Sequence, residues 1–99
     1  MSENMGILPE DLGAEMASGT LVVDVREVSE LAAGIIPGAL CLPLSEFNTR
    51  YTELPKNKRL ALYCQSGMRS DAACRALNQV GYDAHNVVGG FLRWRRMQT

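Results

Sequence analysis

The stretch RLALYCQSGMRSDAACRALNQV, residues 59–80, decides the fold. Arg59 to Tyr63 is an apolar run of strand length. Met68 to Val80 then sets Ala72, Ala73, Ala76, Leu77 and Val80 on one helical stripe, with Gly81 as the stop. Between them lies a short polar turn, Cys64 to Gly67. A strand that feeds a helix in this way is the first half of a parallel β-α-β unit.

The same alternation extends in both directions. Upstream, Pro9-Glu10-Asp11 suits the first turn of a helix running to about Ser18, with Gly19 ending it. Leu21 to Val25 is nearly continuous and β-branched, as for a strand buried on both faces. Glu27 to Ala33 reads as a short helix closed by Gly34. Ala39 to Leu42 reads as a short strand bracketed by Pro37-Gly38 and Pro43. Ser45 is placed to cap a helix through about Arg50, and Pro55 to Lys58 is a turn. Downstream, Ala84 to Val88 is the last strand, and Phe91 to Met97 a closing helix after Gly89-Gly90. With no hairpin signal, the pattern predicts one α/β domain over residues 1–99, a parallel sheet covered by helices on both faces.

Bulk composition narrows function mainly by exclusion. The 99 residues are 46% apolar and 21% charged with net charge −1, which gives no electrostatic reason to expect nucleic acid or an anionic membrane as partner. Arg93, Arg95 and Arg96 suit the negative end of the closing helix. Three cysteines, Cys41, Cys64 and Cys74, without a C-x-x-C pair, argue against a disulfide framework and a structural zinc site. The opening MSENMGILPED lacks the basic and apolar regions of a secretory leader, and no apolar run approaches the roughly 20 residues of a membrane span. A reducing, cytoplasmic setting without membrane partner is the expectation.

Cys64 concentrates the chemistry. In parallel sheets ligands bind beyond the carboxyl ends of the strands, and Cys64 sits at such an end, before a helix N-terminus. Unpaired N–H groups and the helix dipole there favour the thiolate, the nucleophilic form of cysteine. Gln65, Ser66, Gly67, Met68, Arg69 and Ser70 can curl into a nest of amides above the sulfur. Gly67 supplies backbone freedom, Ser66 and Ser70 supply hydroxyl groups, and Arg69 a planar cation. An inert thiol ending a strand would leave those neighbours unexplained. Phosphatases of the cysteine-dependent kind space Cys and Arg by five residues. Here four intervene, and the tighter ring suits a terminal sulfur better than a phosphoryl group.

Four segments in order resemble the single-domain rhodanese family: LVVDVRE (21–27), AAGIIPGALCLPL (32–44), YCQSGMRS (63–70) and VVGGFLRW (87–94). The resemblance implies a three-layer α/β/α fold with a five-stranded parallel sheet. It also implies that Cys64 accepts a sulfane sulfur as a persulfide from thiosulfate or another persulfide and passes it to a thiol, with the loop and Arg69 holding it. The implied partners are a small-molecule sulfur donor and a thiol acceptor, with a sulfur-carrier protein as a further candidate, and no metal or organic cofactor. A small cysteine phosphatase or arsenate reductase, or a noncatalytic interaction module, are the alternatives. Two positions depart from the family: Ile35 replaces its usual histidine, and neutral Gln65 stands where many thiosulfate-using members carry Arg or Lys.

The remaining polar candidates are read as mainly structural. Asp24 and Arg26 form a brace at the end of the first strand, with Arg26 also lending the pocket positive charge. His85, at the start of its strand, belongs to the edge away from Cys64. Cys74 and Cys41 pack, Asp71 complements a helix dipole, and Phe91 with Trp94 anchors the last helix. Met68, at the loop's rim, shapes access for an apolar or protein-borne donor.

Overall fold

The protein was analysed as a computed structural model, which describes residues 6–98; the first five residues of the polar opening segment lie outside the described residues. Strands β1 (Leu21–Asp24), β2 (Leu40–Cys41), β3 (Arg59–Tyr63) and β4 (Asp83–Asn86) form one sheet in the order β2-β1-β3-β4, every pairing parallel. Each strand is followed by helical chain, which carries it back before the next strand can pair in parallel.

Because successive strand residues face opposite ways, an apolar run feeds two cores. Val23, Leu60 and Leu62 point to one face, where Leu77, Cys74 and Ala73 of α3 (Met68–Gln79) and Phe47 of α2 (Phe47–Arg50) cover them. Val22, Ala61 and Tyr63 point to the other. There they meet Leu12 of α1 (Leu12–Ala17) and Phe91 of α4 (Gly90–Arg96), with Trp94 packed alongside. The result is the expected three-layer α/β/α arrangement.

Three local expectations are corrected. The fifth strand is absent among the described residues and shrinks to one parallel bridge, Ile7 to Val87, beside β4. Pro9 starts a 3-10 turn two residues after Ile7, and Gly89 and Gly90 adopt positive φ just after Val88, so neither side can extend the ladder. Ser45 does not cap a helix. It lies within a 3-10 turn, Leu44–Glu46, and its hydroxyl donates to Glu27 at 2.7 Å. Cys41 is only partly buried because β2 is an edge strand of two residues.

Candidate active site

The site begins where β3 ends. Tyr63 still pairs with Asp24, but the carbonyls of Cys64 and Gln65 leave the sheet and accept from Phe91 N–H at 2.9 Å and Leu92 N–H at 3.1 Å. The first turn of α4 is thus clamped onto the loop. That approach requires Gly90: its φ is +61°, and a Cβ there would lie 2.5 Å from the Cys64 oxygen. Gly67, at φ +107°, reverses the chain into α3, whose 12 residues aim their N-terminus at the sulfur. Around Cys64 Sγ converge Gly67 N–H at 3.1 Å, Ser70 N–H at 3.4 Å and Ser70 Oγ at 3.4 Å. Burial, the largest single influence, pushes the thiol's pKa up. The hydrogen bonds of the Ser70 side chain and the N–H groups of Ser70, Gly67 and Ser66 together outweigh it, leaving a net value below that of an ordinary cysteine. Met68, at the first position of α3, is 80% exposed.

Arg69 is not a free cation over the sulfur. Its Nη1 and Nη2 each donate to a Glu30 carboxylate oxygen at 2.8 Å. That hydrogen bonding, against some opposing burial and with help from the Glu27 backbone N–H, holds the Glu30 carboxyl down at about 2. Glu30 is the reciprocal partner of Glu27 in a capping box over the 3-10 segment Val28–Ala33, and Glu27 in turn accepts from Ser45. Arg69 is kept charged mainly by the Glu30 hydrogen bonds, and the Cys64 sulfur adds to the effect.

Arg26 and Asp24 form a wholly buried ion pair at 2.8 Å. The guanidinium lies 4.2 Å from the Phe91 ring centroid and also donates to the carbonyls of Gly34 at 2.7 Å and Glu30 at 3.3 Å. The brace is therefore as expected, but the idea that Arg26 also colours the pocket is corrected: its charge is enclosed and matched by Asp24. Toward the loop it reaches only Gln65 Oε1, at 3.5 Å. Ile35, where the family's histidine would stand, is partly exposed, and the turn is held instead by Ile36 N–H donating to the buried Tyr63 hydroxyl at 3.0 Å.

His85 lies within β4 opposite Ala61, not at the strand's start, and pairs with Asp83 at 2.7 Å. Cys74 is fully buried, which raises its thiol to about 12. Asp71 pairs with Arg75 on the helix surface, and Phe91 stacks between Tyr63 and Trp94. Among the described residues no cluster of three or more His, Cys, Asp or Glu is placed to hold a metal ion. No helix among them is long and apolar enough to cross a membrane. Two residues of the site were missed, Glu30 and Asn86. Asn86 carried a signal: a polar side chain at the carboxyl end of a strand, on the same sheet edge as Cys64. Glu30 carried none beyond its spacing from Glu27.

A strand-end cysteine under the amides of a tight turn into a helix places the chain among parallel α/β proteins with a cysteine loop at the carboxyl edge of the sheet. Within that class the chain belongs to the Rhodanese-like domain family, whose match spans residues 8–97. It is 44% identical to a sulfurtransferase of Allochromatium vinosum, over 77% of this chain and 72% of that protein. Identity to the human thiosulfate:glutathione sulfurtransferase is 38%, over 93% of each. The crystal structure of a rhodanese-related protein from Thermoplasma volcanium superposes with a TM-score of 0.87 at 34% identity, covering 93% of this chain and 91% of that one.

Proposed function

We propose that the protein is a sulfurtransferase that carries one sulfane sulfur on Cys64. The observation that carries this reading is the convergence on Sγ of the Gly67 and Ser70 N–H groups at 3.1 and 3.4 Å. In the first half-reaction the Cys64 thiolate attacks the sulfane sulfur of a donor. The donor's S–S bond breaks, its remaining fragment leaves with the electron pair, and the new S–S bond on Cys64 carries the negative charge on the outer sulfur. In the second, an acceptor thiolate attacks that outer sulfur and Cys64 departs as thiolate. The loop amides of Gln65 to Ser70 hold the anionic sulfur, and Arg69, paired with Glu30, fixes the loop's far side.

The four-residue spacing between Cys64 and Arg69 supports a terminal sulfur over a phosphoryl group. Neutral Gln65 and exposed Met68 favour a persulfide on a small thiol or a carrier protein over thiosulfate as donor. The reducing setting such chemistry needs is a cytoplasmic one, and no cofactor takes part. The test is incubation with thiosulfate, a polysulfide and an aryl phosphate in parallel. Mass spectrometry should find one added sulfur on Cys64, absent in Cys64→Ser, and no phosphate release. Phosphate turnover without a sulfur adduct would replace this reading with the phosphatase one.

A further inference from the structure

Asn86 ties the two halves of the Cys64 loop together from β4. Its Nδ2 donates to the Gly67 carbonyl at 3.0 Å, and its Oδ1 accepts from the Ser70 hydroxyl at 2.5 Å. These contacts fix a proton. The Gly67 carbonyl only accepts, so the amide nitrogen of Asn86 must face it, and Oδ1 must face Ser70. Oδ1 also only accepts, so the single hydroxyl proton of Ser70 lies on the Asn86 side. Ser70 is 0% exposed. The same hydroxyl also reaches Cys64 Sγ as an acceptor at 3.4 Å, so one proton serves two acceptors, the nearer of them Asn86 Oδ1.

We propose that Asn86 is a positioning residue that makes the Ser70 hydroxyl a two-position switch. It donates to Asn86 while the cysteine is a thiol or a persulfide, and turns to the sulfur when Cys64 is a thiolate. The switch follows the charge. In the thiolate Sγ bears the negative charge and outcompetes a neutral amide oxygen for the proton. Once sulfur is transferred, the charge moves to the outer sulfur, Sγ becomes a neutral divalent atom, and the proton returns to Asn86. The hydroxyl thus stabilises the attacking thiolate and releases it as the S–S bond forms. The hydroxyl keeps its own proton throughout, and the thiol proton passes to water when Cys64 ionises.

Among the described residues, the other charged or titratable groups coupled to the sulfur are Arg69 with its partner Glu30 and, on α3, Cys74. Among the described residues, β4 brings the neutral Asn86 to the loop, and α4 contributes the N–H groups of Phe91 and Leu92, both spent on carbonyls. The inference rests on Cys64 being the nucleophile, but its test does not involve sulfur transfer, so the two readings fail separately.

The test is the pH dependence of Cys64 alkylation by iodoacetamide, resolved by peptide mass, in the full chain. Asn86→Ala removes the competing acceptor, so the midpoint should fall by about half a unit, making alkylation about threefold faster below it. Ser70→Ala should raise the midpoint, and the double variant should match Ser70→Ala alone, because Asn86 acts through that hydroxyl. A merely structural Asn86, which only steadies the amides, gives the opposite sign: loosening the loop raises the midpoint. A raised or unchanged midpoint in Asn86→Ala, or an equal Asn86→Ala shift with and without Ser70, would overturn the proposal. Should Asn86→Ala fail to fold, the wild-type chain decides it by NMR. The Asn86 side-chain amide resonances should titrate with Cys64 and lose most of that response in Ser70→Ala; an unaltered response in that variant would contradict the switch.

Discussion

At the scale of single residues, the site depends on two glycines and a thiol held against its own burial. Gly90 cannot bear a side chain, because any Cβ would meet the Cys64 and Gln65 carbonyl oxygens at 2.5 and 2.7 Å. Gly90→Ala is therefore expected to cost about 1–3 kcal/mol of stability through strain at positive φ and that clash, measured by urea unfolding. The same variant should slow alkylation of Cys64, since the clamp from α4 positions the loop. Cys64 itself should alkylate with a midpoint below the roughly 8.5 of a free cysteine. A midpoint at or above that value in the wild type would mean that burial dominates and the amides do not hold the thiolate.

At the scale of elements, a short 3-10 segment controls the cation of the active-site helix. Glu30 reaches from Val28–Ala33 to α3 and holds Arg69 by two hydrogen bonds. Its carboxyl sits at about 2, below the ordinary carboxylate value of 4.5. A depressed carboxyl stabilises the fold above its unfolded value and loses that contribution as pH falls toward the folded one. Glu30→Gln should therefore lower stability by a constant amount above about pH 4.5, flatten the profile between about pH 4.5 and pH 2, and match the wild type below it. Both side chains are partly solvent-exposed, so the change should be modest. Denaturant midpoints across that pH range check it. The elements themselves were largely legible: β3 and the Met68 start of α3 fall where apolar periodicity put them. What periodicity does not carry is pairing between elements far apart in the chain. Glu30 and Arg69 lie 39 residues apart, and neither position advertises the other. The same limit hid the loss of the fifth strand, which depends on how far Ile7 and Val87 can pair between a proline and two glycines.

At the scale of the whole molecule, a buried ion pair at the carboxyl end of β1 ties the Glu30–Gly34 turn and the start of α4 to the Cys64 loop. Asp24 and Arg26 are both fully buried, and Arg26 is sandwiched against Phe91 while donating to Gly34 and Glu30. Removing one partner leaves an uncompensated charge, so Asp24→Ala should destabilise the fold by about 3–5 kcal/mol in denaturant unfolding. The sequence suggested this brace from Asp-Val-Arg at a strand end, but not that burial would withdraw Arg26 from the pocket. The three thiols should report the architecture directly. In the folded protein Cys64 should alkylate first and partly buried Cys41 more slowly. Cys74, buried with its thiol near 12, should react only on unfolding.

The most direct measurement is a single-cycle chase. The protein is loaded with sulfur from a polysulfide, freed of donor, and mixed with a small thiol while the Cys64 peptide mass and the sulfane sulfur on the acceptor are followed together. The expected result is loss of one sulfur from Cys64 with an equal gain on the acceptor, repeatable on reloading. Failure of Cys64 to load, or a loaded Cys64 that keeps its sulfur in the presence of thiol, would contradict a role in sulfur transfer.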